Sequence, residues 1–212
     1  MSDALVTISN LANTAPTRGH GLLESFLASQ RARMANKLIP SHLRDGRILD
    51  VGCGSYPVFL TQSRFAERYG VDRVLSEATI KRLGDMAIRL QHYDADRDDR
   101  LPFADEVFAV VTMLAVYEHL REDRLKLLLR EVRRVLQPGG LLVITTPAHW
   151  TEPILTFMSA VGLISGEELE EHKRSHRHED IRPLLEEANF PSGGLRMGYF
   201  EARMNIWAVA QK

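Results

Sequence analysis

Along the chain, short apolar runs alternate with segments whose apolar residues recur every three or four positions. The first periodic segment, Leu22 to Ile39, carries Leu23, Phe26, Leu27, Met34 and Leu38 at helical spacing and stops at Pro40. A brief apolar run then ends in glycine, Arg47-Ile-Leu-Asp-Val-Gly52, the pattern of a buried strand entering a tight turn. Phe59 to Tyr69 predicts a helix, Gly70 to Asp72 a short second strand, Glu77 to Met86 a helix, and Ala87 to Tyr93 a third strand. Val107 to Met113, apolar and β-branched, predicts the fourth strand. The clearest helix follows, with Leu125, Leu128, Leu129, Val132, Val135 and Leu136 on one face. Arg124, Lys126, Arg130, Glu131, Arg133 and Arg134 fill the other. Pro138-Gly139-Gly140 ends it, and Leu141 to Thr146 reads as the fifth strand.

Strands that are apolar on both faces and alternate with helices form a parallel sheet covered on both sides. The end of the chain departs from that rhythm. After a helix from Glu179 to Ala188, Leu195–Met204 and Asn205–Gln211 read as two strands with no helix between them, so they run antiparallel. The expected fold is α/β: a doubly wound, mostly parallel seven-stranded sheet with helices on both faces and a C-terminal antiparallel hairpin. Residues 1–21, broken by Asn10, Asn13, Pro16 and Gly19, form an N-terminal arm. Residues 22–212 form a single domain, in which 150–178 reads as an insertion covering the substrate.

Composition narrows the function. The chain has 212 residues, 44% hydrophobic and 26% charged, with a formal net charge of -1, so no overall field draws nucleic acid or an anionic membrane. Its one cysteine, Cys53, excludes an intrachain disulfide and a cysteine metal cluster. No stretch of about 18 apolar residues spans a membrane, and the N-terminal residues lack a basic start followed by an apolar run. The expected compartment is the cytoplasm.

The chemistry concentrates in Ile48-Leu-Asp50-Val-Gly52-Cys-Gly54-Ser-Tyr-Pro57. A strand ending in Gly-x-Gly lets a ligand lie against bare backbone. In a doubly wound sheet that ligand sits beyond the carboxyl ends of the strands. A dinucleotide reading needs a third glycine where this chain has Pro57. Asp50, two residues before the first glycine, would repel pyrophosphate but suits an ammonium or sulfonium. Asp72, 22 residues downstream at the predicted end of the second strand, can accept two hydrogen bonds from a ribose diol. Asp94, after the third strand, can accept from an exocyclic amine, a role for which Asp96 competes. Singly, each of these has a structural reading too: a tight turn, a helix cap, a buried inert thiol at Cys53.

Together these pieces resemble the class I, Rossmann-like S-adenosylmethionine-dependent methyltransferases. The matching motifs are Leu49-Asp-Val-Gly-Cys-Gly54, Gly70-Val-Asp72, Asp94-Ala95, Leu101-Pro-Phe103, Tyr117-Glu-His-Leu120 and Leu136-Gln-Pro-Gly-Gly140, in family order over residues 22–150. The resemblance implies S-adenosylmethionine as cofactor, with Gly52, Cys53 and Gly54 and, behind them, Asp50 at its methionine half. It implies Asp72 at the ribose, Asp94 and Ala95 at the adenine edge, and Leu114 near the sulfonium. Tyr56 departs from the pattern, since many members have glycine there.

Methyl transfer is an in-line displacement in which alignment does most of the work, so no fixed catalytic triad is expected. Glu118 and His119, opening the helix after the fourth strand, and His149, past the fifth, stand at the rim where acceptors arrive. They are the candidate catalytic residues. The basic run His172-Lys-Arg-Ser-His-Arg-His178 reads as a solvated loop or as a lid for an anionic acceptor. It lacks a clear fourth zinc ligand, and no metal is expected. The apolar run from Ile154 to Ile164 reads as core, as the face of a homodimer, or as acceptor cover. No Asn/Asp-Pro-Pro-Tyr/Phe segment follows the fourth strand, which disfavours DNA base amines. The expected acceptor is a small molecule, a sugar, or a lipid or polyketide intermediate. The rival classes are a non-catalytic S-adenosylmethionine-binding regulator and a nicotinamide-dependent oxidoreductase.

Overall fold

A computed structural model describes residues 22–151 and 178–212. The arm at 1–21 and most of the expected insertion, 152–177, lie outside the described residues, and with them the apolar run 154–164 and all but the last residue of the basic run. Helix α1 (Leu22–Leu38) leads into β1 (Arg47–Val51), α2 (Val58–Gln62), β2 (Glu67–Asp72), α3 (Glu77–Gly84) and β3 (Ile88–His92). Then come β4 (Phe108–Leu114), a 3-10 turn at Tyr117–His119, α4 (Glu122–Val135) and β5 (Leu136–Pro147). Helix α5 (His178–Glu187), β6 (Leu195–Phe200) and β7 (Asn205–Gln211) close the chain.

The seven strands form one sheet in the order β3-β2-β1-β4-β5-β7-β6. The pairs among β1 to β5 are parallel, and β7 runs antiparallel to both β5 and β6. Alternation along the strands feeds two apolar layers. Leu49, Val111 and Ile144 face α4 and α5, where Leu125, Leu128, Leu129, Val132 and Ile181 are buried. Ile48, Val110 and Val143 face α1, α2 and α3. The doubly wound sheet with its terminal hairpin is as the sequence led us to expect.

Several boundaries moved, each for a local reason. The helix expected at Phe59–Tyr69 stops at Gln62, because Ser63 is extended, and Glu67–Tyr69 belong to β2. There the side chains alternate in strand fashion. Tyr69 packs edge-on against Phe103 and Phe108, while Arg68 donates to the carbonyls of Leu60 and Met86. Glu118 and His119 do not open a helix: they sit in the 3-10 turn, and extended backbone at Leu120 and Arg121 separates them from α4. Strand β6 ends at Phe200 rather than Met204, because Glu201, Ala202 and Arg203 all take left-handed φ values. Strand β5 begins early, at Leu136. Its register against β4 shifts between Phe108↔Leu136 and Val110↔Leu141, where Pro138, Gly139 and Gly140 leave the ladder.

Helix α1 corrects the sequence reading most. Among its described side chains the buried ones are Ala32 and Ala35, followed by Ile39, whereas Phe26 is 53% exposed. Small residues bring this helix close to the sheet; Leu38 packs against the same core while only partly buried, and Phe26 lies off it. On the other face of the sheet, α4 has acids in its first turn, Glu122 and Asp123, and Arg133 and Arg134 in its last, complementing the helix dipole. Its charged side is also structural. Arg124 donates to the Ala95 and Asp98 carbonyls and pairs with Asp99 at 2.7 Å. Arg134 donates to the carbonyls of Leu101 and Phe103 and pairs with Asp105. Two arginines thus tie the long loop between β3 and β4 to the helix.

Ala35→Leu should overfill the α1 contact and cost about 1–3 kcal/mol in urea denaturation. Phe26→Ala should change stability by no more than about 0.5 kcal/mol. The reverse order would mean that α1 buries the face its larger residues mark.

Candidate functional site

Position 50 is the fourth residue of a five-residue central strand whose Ile48, Leu49 and Val51 are fully enclosed, so Asp50 is carried into the interior with them. It pairs in register with Thr112 of β4, and the Thr112 hydroxyl donates to Asp50 Oδ1 at 2.6 Å. Burial lifts the Asp50 carboxyl from 3.8 to about 7; the Thr112 hydrogen bond opposes that rise and nearby Asp72 adds to it. A carboxylate held this way favours any cation that reaches it.

The chain then turns sharply. Gly52 and Gly54 have φ of 71° and 72°, the left-handed region in which side chains are strained. A Cβ on Gly52 would also stand 2.2 Å from Val116 Cγ2, whereas a Cβ on Gly54 would meet nothing within 4 Å. The first glycine lets the turn pack against the segment after β4; the second leaves bare backbone beside open space. The Gly52 and Cys53 amides donate to the Val71 carbonyl, stapling the turn to β2. Cys53 points beneath it, toward Gly70, and is 8% exposed. Burial, then the charges of Asp50 and Asp72, push its thiol well up, so it is a packing group and a poor nucleophile.

Asp72 ends β2 with both oxygens engaged: Oδ2 accepts from the Gly54 amide at 2.8 Å and Oδ1 from the Val74 amide at 2.9 Å. The helix-cap alternative falls to Ser76, which caps α3 by accepting from the Thr79 amide. A carboxylate offers about four lone-pair sites, so holding the turn does not by itself preclude accepting from a diol. After β3, Asp94 accepts from the Asp96 amide and lies 3.6 Å from Arg97, and its own amide donates to Asp98. Arg73 and Asp96 meet at 3.6 Å.

These groups surround one cavity of about 390 Å³, within the range of small-molecule sites. It lies beyond the carboxyl ends of β1 to β4, where neighbours β1 and β4 feed connections on opposite sides. Asp50, Gly52, Cys53, Gly54, Asp72, Asp94, Ala95, Leu114, Glu118 and His119 all line it. Asp96 lines it too, so both acids weighed for the adenine edge are at hand. Tyr56 is part of the wall, its ring under the Arg82 guanidinium at 5.7 Å. Of the sequence candidates, His149 is the exception: it begins a 3-10 turn at 149–151 past β5, and its side chain lies outside the described atoms.

Sequence reasoning missed Leu27, Ala28 and Arg31 of α1, which complete one wall. Leu27 and Arg31 are one helical turn apart, but a leucine and an arginine at that spacing look like any amphipathic helix. Thr112 and Val116 were missed as well, and only the register of β4 against β1 reveals them. Ala115, beside them, has φ of 57°, a left-handed alanine at the cavity edge whose amide donates to the Thr145 carbonyl.

The residues fit an adenosyl amino acid: a bare-backbone cradle at Gly54, a buried carboxylate facing its cationic end, and acids at successive strand ends for its nucleoside. Comparison with known proteins agrees. Residues 7–191 match the family described as methyltransferase domain. The chain is 31% identical over 110 residues to YodH, an uncharacterized methyltransferase of Bacillus subtilis (strain 168). That match takes in 47% of this chain and 42% of the relative, so the chain spans about two fifths of that protein. Among solved structures, an S-adenosylmethionine-dependent methyltransferase from Archaeoglobus fulgidus shares the fold at a TM-score of 0.64 and 18% identity, over 87% of this chain and 94% of that one. Another, from Mesorhizobium loti, does so at 0.62 and 18%, over 88% and 100%. The glycine turn, its acids and a family match over most of the sequence lead to one conclusion: this chain belongs to the methyltransferase-domain family.

Proposed function

We propose that this chain transfers the methyl group of S-adenosylmethionine to a small-molecule, sugar or lipid/polyketide-type acceptor by in-line displacement. The observation that carries this reading is the convergence of two left-handed glycines and three strand-end acids on one cavity. Bound there, S-adenosylmethionine supplies a methyl already activated by a sulfonium, whose bonding pair leaves with sulfur.

The chain's own residues supply binding, orientation and dryness. Gly52 and Gly54 offer backbone to the methionine half, and Asp50 holds its cationic end by charge across the turn. Asp72 accepts from the ribose hydroxyls, and Asp94 with the backbone of Ala95 takes the adenine edge. Leu114, ending β4, and Val116, just past it, form an apolar wall at the reacting end. Holding the reactants in line there can account for about 7–11 kcal/mol of barrier lowering. With a hydroxyl acceptor, His119 takes the departing proton, a contribution of about 10²–10⁴-fold; His149 is the second residue we place in that role. A nicotinamide reading is disfavoured by Pro57, which caps α2 where a dinucleotide turn needs its third glycine.

Calorimetry should find binding of S-adenosylmethionine and S-adenosylhomocysteine but not of NAD. Asp50→Ala should weaken S-adenosylmethionine at least tenfold, about 1.4 kcal/mol, with the circular dichroism spectrum kept. Unchanged affinity removes the charge argument; tight binding with no labelled methyl passed to any metabolite pool marks a non-catalytic binder.

Asp50 also predicts opposite pH trends for stability and binding. Its carboxyl is raised from 3.8 to about 7 on folding, so the ligand-free protein loses stability as pH rises through that window. Affinity for cationic S-adenosylmethionine should instead fall as pH drops below about 7, by up to tenfold per pH unit, with proton release on binding. Asp50→Asn should flatten both profiles; a wild-type affinity flat from pH 5.5 to 8 contradicts the assignment.

A further inference from the structure

The acids assigned to the cofactor stand over β1, β2 and the end of β3, on one side of the junction between β1 and β4. Glu118 stands on the other. It follows β4 in the 3-10 turn, and its Oε2 accepts from the hydroxyl of Thr146, near the end of β5, at 3.0 Å. Strand β5 is the neighbour of β4 on the side away from β1. Glu118 is 6% exposed and Thr146 1%, so this pairing is enclosed and the carboxylate is held in one orientation.

The other oxygen, Oε1, is also shielded from solvent, and it has no hydrogen-bond partner among the described residues. Leaving a buried acceptor unmet is unfavourable, more so for a charged group than a neutral one. Yet Glu118 lines the cavity, so the unmet oxygen belongs to a side chain that borders the ligand space. Among the described residues, five carboxylates and two guanidinium groups line the same cavity, and one of the latter, Arg73, is already paired with Asp96. A second anion has little to attract it here. A donor has.

Resting on the reading of this cavity as a joint cofactor and acceptor site, we propose that Glu118 Oε1 anchors the methyl acceptor by accepting a hydrogen bond from its O–H or N–H. The acceptor is then a small molecule bearing a hydroxyl or amine, and a carboxylate or phosphate is not accommodated at this point. Thr146 is a positioning residue, fixing Oε2 so that Oε1 is presented.

The test uses the full chain saturated with S-adenosylhomocysteine and three probes that share one ring: benzyl alcohol, benzylamine and benzoate. Calorimetry should show the alcohol or the amine binding at least tenfold tighter than benzoate, and Glu118→Gln should reduce that preference to threefold or less. The same variant should hold S-adenosylhomocysteine within about twofold of wild type. Equal response to all three probes, absence of binding included, or preference for benzoate, overturns the proposal without touching the cofactor assignment. A tenfold loss of S-adenosylhomocysteine in Glu118→Gln moves the residue to the cofactor's site and overturns it too. Failure of the wild type to bind S-adenosylhomocysteine removes the functional reading, and this inference with it. The wild-type comparison among the three probes needs no variant to fold.

Discussion

A single hydrogen bond at the middle of the sheet, from the Thr112 hydroxyl to the Asp50 carboxyl, settles how this domain can meet a ligand. A carboxyl buried among Ile48, Leu49 and Val51 is unfavourable, and the strand tolerates it because its parallel neighbour supplies a hydroxyl at the paired position. That pairing exists only because β4 returns to lie beside β1. The same return brings Val116 against Gly52 and opens the crevice in front of the turn. Fold and site are therefore one arrangement: the crossing that builds the sheet also assembles the anion, the bare backbone and the space.

Much of this was legible in the residues. The apolar runs, the helix carrying Leu125 to Val135 and the absence of a helix before Asn205 are long-range patterns that packing reinforces, and they gave the topology. That several acids gather at the cavity was legible because they stand at or near strand ends, whose spacing in sequence follows from strand and helix lengths. Glycines 52 and 54 were legible because left-handed φ values select for glycine.

What escaped had no one-dimensional signature. Thr112 looks like any β-branched residue in a strand until register sets it opposite Asp50. Arg31 lies 19 residues before Asp50 in the chain and reaches the cavity only through the packing of Ala32 and Ala35 on the sheet. Helix α1 misled because size is not burial: alanines make the close contact while Phe26 faces out. The 3-10 turn at Glu118 was read as a helix start because two extended residues, Leu120 and Arg121, carry no mark that separates them from helix formers.

Arg124 has a consequence of a different kind. On a helix otherwise read as solvent-facing along that side, it grips the Ala95 and Asp98 carbonyls and Asp99, and so fixes the far rim of the crevice from outside. Any ligand entering the crevice meets a wall whose shape is already set. Little of its contact energy then goes into freezing polypeptide, and the rim can discriminate by fit rather than by folding around whatever arrives.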